Sequence, residues 1–136
     1  MDKIEIRPAK SVKDITDKLL SKVFKEHDVF FAFSQEQIEE QKKPNIKYRV
    51  NSSMNMFYNA EKKDTIYQEL DKAIEEAQRI DKQLHTKEQI ILRELINYEC
   101  FYICDFTDVV EPLEAYGYTV KDIQPIFIKY LQKYSE

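Results

Sequence analysis

A single glycine, Gly117, in a chain of 136 residues narrows what this sequence can become more than any other feature. Glycine is the residue that takes positive φ without steric cost. The loops that cradle phosphates or present a nucleophilic serine need at least two glycines close together. A Walker loop, a dinucleotide-binding fingerprint and a nucleophile elbow are therefore excluded in their standard forms. A chain this poor in glycine joins helices through short turns capped by side chains. With 43% hydrophobic and 34% charged residues it is globular rather than disordered. Its length is that of one ordinary domain, long enough for a core without staples, and residues 1–136 read as a single domain. We find no linker, repeat or low-complexity tract.

Apolar spacing supplies the elements. Met1 to Ile6 alternates weakly and reads as an edge strand or a frayed tail. Ser11 and Asp14 have capping-box spacing, and Val12, Ile15, Leu19 and Val23 then form one helical stripe. The run Val29-Phe-Phe-Ala-Phe33 reads as a buried strand, and Ser34 with Gln37 opens a short polar helix ending near Pro44. Ile46, Tyr48 and Val50 alternate with Lys47 and Arg49, so residues 45–58 read as a hairpin around Asn51-Ser-Ser. The longest helix spans 60–85. Thr86 and Gln89 cap a second one that runs to Cys104, is apolar on more than one face, and pairs antiparallel with the first. Asp108 is positioned to cap a short helix stopped by Gly117, with Pro112 in its first turn, and Thr119 and Asp122 cap the last helix, in which Pro125 brings a kink or a later start. The fold class is α+β, mainly helical, with about five helices and a small antiparallel sheet of roughly two to four short strands.

Charge and sulfur narrow the setting. Net charge is −4, the opposite of the basic excess that nucleic-acid binding draws on, so a nucleic-acid partner is not expected. Cys100 and Cys104 lie four apart on one helical face, a spacing unsuited to a disulfide, and read as reduced thiols of a cytoplasmic protein. No apolar run approaches the ~18 residues that cross a bilayer, so no membrane partner is expected.

One interval stands out. Between Arg93 and Lys121 there is no lysine or arginine, yet the interval holds Glu94, Glu99, Asp105, Asp108, Glu111 and Glu114 among six aromatic residues. Carboxylates interleaved with tyrosines suit a basic partner: the rings bury area at low entropic cost and the charges steer a cation. The bland alternative makes the rings core and the acids helix caps. The candidate binding residues are Asn97, Tyr98, Glu99, Tyr102, Asp105, Asp108 and Glu111.

Other chemistries are poorly served. His85, Glu99, Cys100 and Cys104 are the only conceivable metal set, and a Cys-x3-Cys on a helix does not wrap an ion, so no metal and no cofactor is expected. His27 or His85 with either cysteine lacks any flanking signature of a nucleophile, so no enzyme is expected. Lys42, Lys43, Lys47, Tyr48 and Arg49 form a small basic-aromatic cluster of the kind that can stack bases, but it reads first as an edge strand guarded by lysines.

The run Glu94-Leu-Ile-Asn-Tyr-Glu-Cys-Phe-Tyr-Ile-Cys-Asp105, followed by Asp108 and Leu113-Glu-Ala-Tyr-Gly-Tyr-Thr119, is similar to a family of small uncharacterised proteins of phages and mobile elements. Phe30-Phe-Ala-Phe-Ser34 with Glu36-Gln37 resembles their N-terminal strand-to-helix passage. The resemblance implies an Asn-His-Glu core, here Asn97, Tyr98 and Glu99 with tyrosine at the histidine position, and an acidic residue at Asp105. It implies no established activity, but a setting in which small acidic proteins block a host protein.

The leading expectation is thus a non-enzymatic interaction protein that occupies a basic site on a host protein through the acidic-aromatic surface. The alternative is a small-ligand or nucleotide-binding module whose pocket is lined by Tyr98, Tyr102 and Tyr116, with Asn97 and Glu99 reading polar groups. The seam of the helix at 60–85 is satisfied equally by the following helix or by a second copy, which leaves a homodimer open.

Overall fold

A computed structural model describes residues 6–135, which divide into two compact units. One comprises residues 13–77, the other residues 78–135 with residues 6–12. The expected edge strand or tail at Met1 to Ile6 lies almost entirely outside the described residues; Ile6 itself has no regular structure.

The first unit holds α1 (Lys13–Glu26), β1 (Phe30–Phe31), α2 (Gln35–Gln41), β2 (Tyr48–Asn51), β3 (Met56–Asn59), a 3-10 turn at Ala60–Lys62 and the first part of α3 (Lys63–Leu84). The strands form an antiparallel sheet in the order β1-β3-β2, with Phe30 opposite Phe57 and Val50 opposite Phe57 from the other side. Asp28 takes a φ of 57°, so that α1 ends where a glycine would ordinarily stand, and its carboxylate accepts from Lys43 Nζ at 2.6 Å. The Ser34 cap forms as the sequence implies: its Oγ accepts from the Gln37 N–H, and the Gln37 side chain accepts from the Phe33 N–H at 2.7 Å. Met56 and Tyr58 alternate inward from the central strand onto Val23, Val29, Ile66, Leu70 and Ala73. In β2 the alternation is only half realised: Tyr48 is partly buried but Val50 is exposed, because β2 is an edge strand with no layer over that position.

The second unit holds the end of α3, α4 (Lys87–Asn97), α5 (Cys100–Ile103), α6 (Thr107–Glu114) and α7 (Val120–Tyr134). Taken over both units, the class is the one read from the sequence, mainly helical with a small antiparallel sheet, with seven α-helices where about five were expected and three strands among the described residues. The stretch 86–104 is two helices rather than one, broken at Tyr98 and Glu99. Thr86 and Gln89 close a full capping box on α4, and the Asp122 carboxylate accepts the Thr119 N–H at 2.9 Å at the start of α7. α7 continues through Pro125. Pro112 lies beyond the first turn of α6, so the ring removes a donor that the Asp108 carbonyl would otherwise receive. Gly117, with φ of 85°, occupies the left-handed position of a Schellman turn: Tyr118 N–H reaches Leu113 O at 3.0 Å and Gly117 N–H reaches Glu114 O at 2.8 Å.

α4 is central to this unit. Ile90, Ile91, Leu92 and Leu95 are fully buried against Val109, Leu113, Ile123, Ile126 and Phe127, and the same helix buries Arg93. Arg93 forks onto Asp81 at the end of α3, with Nη1 to Oδ1 at 3.0 Å and Nη2 to Oδ2 at 2.7 Å. No part of Asp81 reaches solvent. His85 Nδ1 donates to Oδ1 at 2.9 Å and the Tyr116 hydroxyl donates to Oδ2 at 2.7 Å, so both carboxylate oxygens are saturated. Arg93 Nη1 also donates to the Lys10 carbonyl at 3.1 Å, and Nε to Glu94 at 3.3 Å. One ion pair thus ties together the end of α3, the middle of α4, the N-terminal segment and the Gly117 turn. Burial alone pushes the Asp81 carboxyl up, but hydrogen bonds from Arg93, Tyr116 and His85 outweigh it and hold the group below the ordinary aspartate value of 3.8. Burial and the hydrogen bond to Asp81 push Tyr116 well above the ordinary tyrosine value of 10.0.

Removing one member strands the other charge. Arg93→Met or Asp81→Leu alone is expected to cost about 3–5 kcal/mol, and the double substitution to recover most of it. Urea unfolding of the four proteins measures the coupling; a value within about 0.5 kcal/mol of zero contradicts the account. The pH response follows from the two shifts. A depressed Asp81 contributes stability above 3.8 that is lost as pH falls through its folded value, and a raised Tyr116 contributes stability below 10.0 that is lost as pH rises. Denaturation midpoints should fall at both ends, and Tyr116→Phe should flatten the alkaline limb.

Candidate functional site

The helical rod that begins at Thr86 stops because the chain turns left-handed at Glu99, with φ of 55°. One turn of helix follows, α5, and a second left-handed residue, Cys104 with φ of 56°, ends it. Neither is glycine, and each left-handed non-glycine residue costs roughly 1 kcal/mol. Between them Phe101 turns inward and stacks between Phe127 at 5.4 Å and Tyr134 at 5.3 Å. Anchoring one face this way drives the other outward: Tyr102 is 85% exposed and Ile103 52%. Tyr98, 43% exposed, is open to solvent, as are Asn97 and Glu99.

The carboxylates divide between two tasks. Asp105 is committed to the backbone: its Oδ1 accepts the Thr107 N–H at 2.8 Å and the Thr107 hydroxyl at 2.6 Å, which holds its carboxyl below the usual range. Asp108, expected to cap α6, lies inside the helix instead, because Asp105 has already bridged the turn. Asp108, Glu111 and Glu99 are exposed, and among the described residues none has a side-chain hydrogen bond or ion pair. The chain therefore carries three uncommitted carboxylates, two open tyrosine rings and an open isoleucine within residues 98–111.

The remaining aromatic residues of the interval have other work. Phe106 leans on Phe127, and Tyr118 stacks on Tyr116 with Lys82 Nζ over its ring at 5.2 Å. Tyr116 is held by Asp81, and the cavity that Tyr102 lines contains neither Tyr116 nor Tyr98. The tyrosines of the ligand-pocket alternative thus do not converge there. That cavity has a volume of about 150 Å³ and lies between the end of α4, α5 and the end of α7.

The two thiols differ. Cys100 is buried, and burial together with the Asp108 and Asp105 charges pushes it up to about 11; Cys104 is exposed. Among the described residues no three histidine, cysteine, aspartate or glutamate side chains gather as metal ligands would. No described helix is long and apolar enough to cross a membrane. Sequence reasoning missed the buried Asp81–Arg93 pair. Its one signal was Arg93 itself, a charge inside a run of buried aliphatic residues, which requires a partner.

These features define a mainly helical α+β protein whose α4–α6 segment presents an acidic and aromatic face. Residues 12–133 match a family of unknown function, DUF7659, and the chain belongs to it. No curated protein and no solved structure matches the chain.

Relief of the left-handed strain is measurable. Glu99→Gly and Cys104→Gly should each raise stability by up to about 1 kcal/mol, while Glu99→Val should lower it by more, because β-branching clashes at positive φ. Thermal melts with an opposite ranking contradict the assignment of strain.

Proposed function

We propose that this chain is a non-enzymatic interaction protein that occupies a basic site on a partner protein through residues 97–111. The observation that carries the reading is the exposure of Tyr102, Tyr98 and Ile103 beside carboxylates with no partner of their own. A monomer gains nothing from holding a tyrosine almost wholly in water on a strained one-turn helix. A protein interface gains a rigid aromatic anchor at low entropic cost, with Asp108 and Glu111 to steer a cation and set the salt dependence. The resemblance of residues 94–119 to proteins of phages and mobile elements supports a host protein as the partner and the cell interior as the place of action.

The test is capture of partners by the purified chain, with each captured protein identified and its surface charge examined. Tyr102→Ala and the pair Asp108→Lys with Glu111→Lys should retain the fold, since all three side chains are exposed, and should lose capture of a basic protein. Each hot-spot loss is worth about 2 kcal/mol or more. Undiminished capture by the folded variants, or binding that does not weaken with added salt, removes this surface from the function.

A further inference from the structure

The geometry points to the cavity between α4, α5 and α7 as a receptor for a single arginine side chain of the partner, an inference that rests on the interaction reading above. The floor of the cavity is aliphatic and aromatic: Leu95, Ile96 and Phe101. Its rim is formed by Glu99, Tyr102 and Tyr134, and Glu99 is the only charged residue in the lining. An occupant must therefore combine an apolar stem with a cationic end. Lysine and arginine both do, but the rim distinguishes them. Tyr102 is 85% exposed and stacks on no other ring among the described residues, so one face of it is open to a planar group. A guanidinium stacks on such a face and presents paired N–H donors to a carboxylate, whereas an ammonium is a strongly hydrated point charge. Tyr134 cannot supply the stacking face: Phe101 packs against it at 5.3 Å and Lys133 Nζ stands over it at 5.2 Å.

Shape agrees with the chemistry. About 150 Å³ accommodates one long side chain and is too small for a nucleotide, whose sites run to several hundred Å³. The left-handed backbone at Glu99 sets the direction in which its side chain leaves the chain beside the cavity.

The experiment is an NMR titration of the full chain, read at the backbone amides, with a short neutral-capped peptide holding one arginine and with its lysine counterpart. The arginine peptide should shift Glu99, Phe101, Tyr102 and Tyr134, and the lysine peptide should bind roughly tenfold more weakly. Glu99→Gln and Tyr102→Leu should each weaken arginine binding about fivefold or more, while Glu36→Gln, an exposed acid on α2 outside the proposed surface, leaves it unchanged. Equal affinity for the two peptides, or shifts confined to Asp108 and Glu111, overturns the arginine receptor and leaves the acidic surface standing. No shift anywhere in 97–111 with either peptide overturns both.

Discussion

Burying a carboxylate costs several kcal/mol, and it is tolerated only where hydrogen bonds and an opposite charge replace every lost water. Asp81 meets that condition through Arg93, His85 and Tyr116, and the way it does so organises the unit around it. Arg93 and Tyr116 come from stretches of chain distant from Asp81, so neither stretch can move without leaving the buried carboxylate short of a hydrogen bond. The apolar cluster of α4, α6 and α7 supplies the bulk of the driving force but is non-directional. The ion pair adds direction: it fixes how α4 is rotated, because Arg93 must face Asp81. Rotation of α4 in turn fixes where its end points, and the exposed segment proposed as a binding surface begins at that end.

From that end onward, the chain does something costly. It leaves a regular helix at Glu99, makes a single turn, and leaves again at Cys104, both times with a side chain where glycine would be easier. The one glycine it has is spent at residue 117, on the turn whose neighbour Tyr116 completes the buried network. The strain at 99 and 104 holds Phe101 in the core and Tyr102 out of it. Strain kept on a solvent-facing segment fits a segment used for recognition, where a pre-set shape lowers the entropy lost on binding.

Much of the fold was legible in the sequence because its signals are local. The Ser34, Thr86 and Thr119 caps, the hairpin at 48–59 and the central place of α4 follow from side chains within a few residues of one another. What was not legible is either long-range or strained. Asp81 sits between Ile80 and Lys82 in a helix full of charges, and nothing local separates it from its exposed neighbours. The break in 86–104 has no glycine or proline to announce it; Tyr98 and Glu99 are ordinary helix residues overridden by tertiary packing. In the candidate surface, the residue types were readable but their division of labour was not. Asp105 and Asp108 look interchangeable in sequence, and only the bonds that Asp105 accepts from Thr107 show which carboxylate is spent. Ring exposure was equally hidden, since Phe101 and Tyr102 are adjacent and go opposite ways.

The break that turns Phe101 inward also separates the two sulfur atoms of the chain. Cys100 lies inside with its thiol held in the neutral form, while Cys104 faces solvent at the far end of α5. A maleimide or nitroxide reagent therefore meets one reactive position in the native protein, two residues from Tyr102, and no engineered cysteine is needed to place a reporter there. The chain carries its own attachment point for fluorescence or spin-relaxation measurements beside the exposed Tyr102.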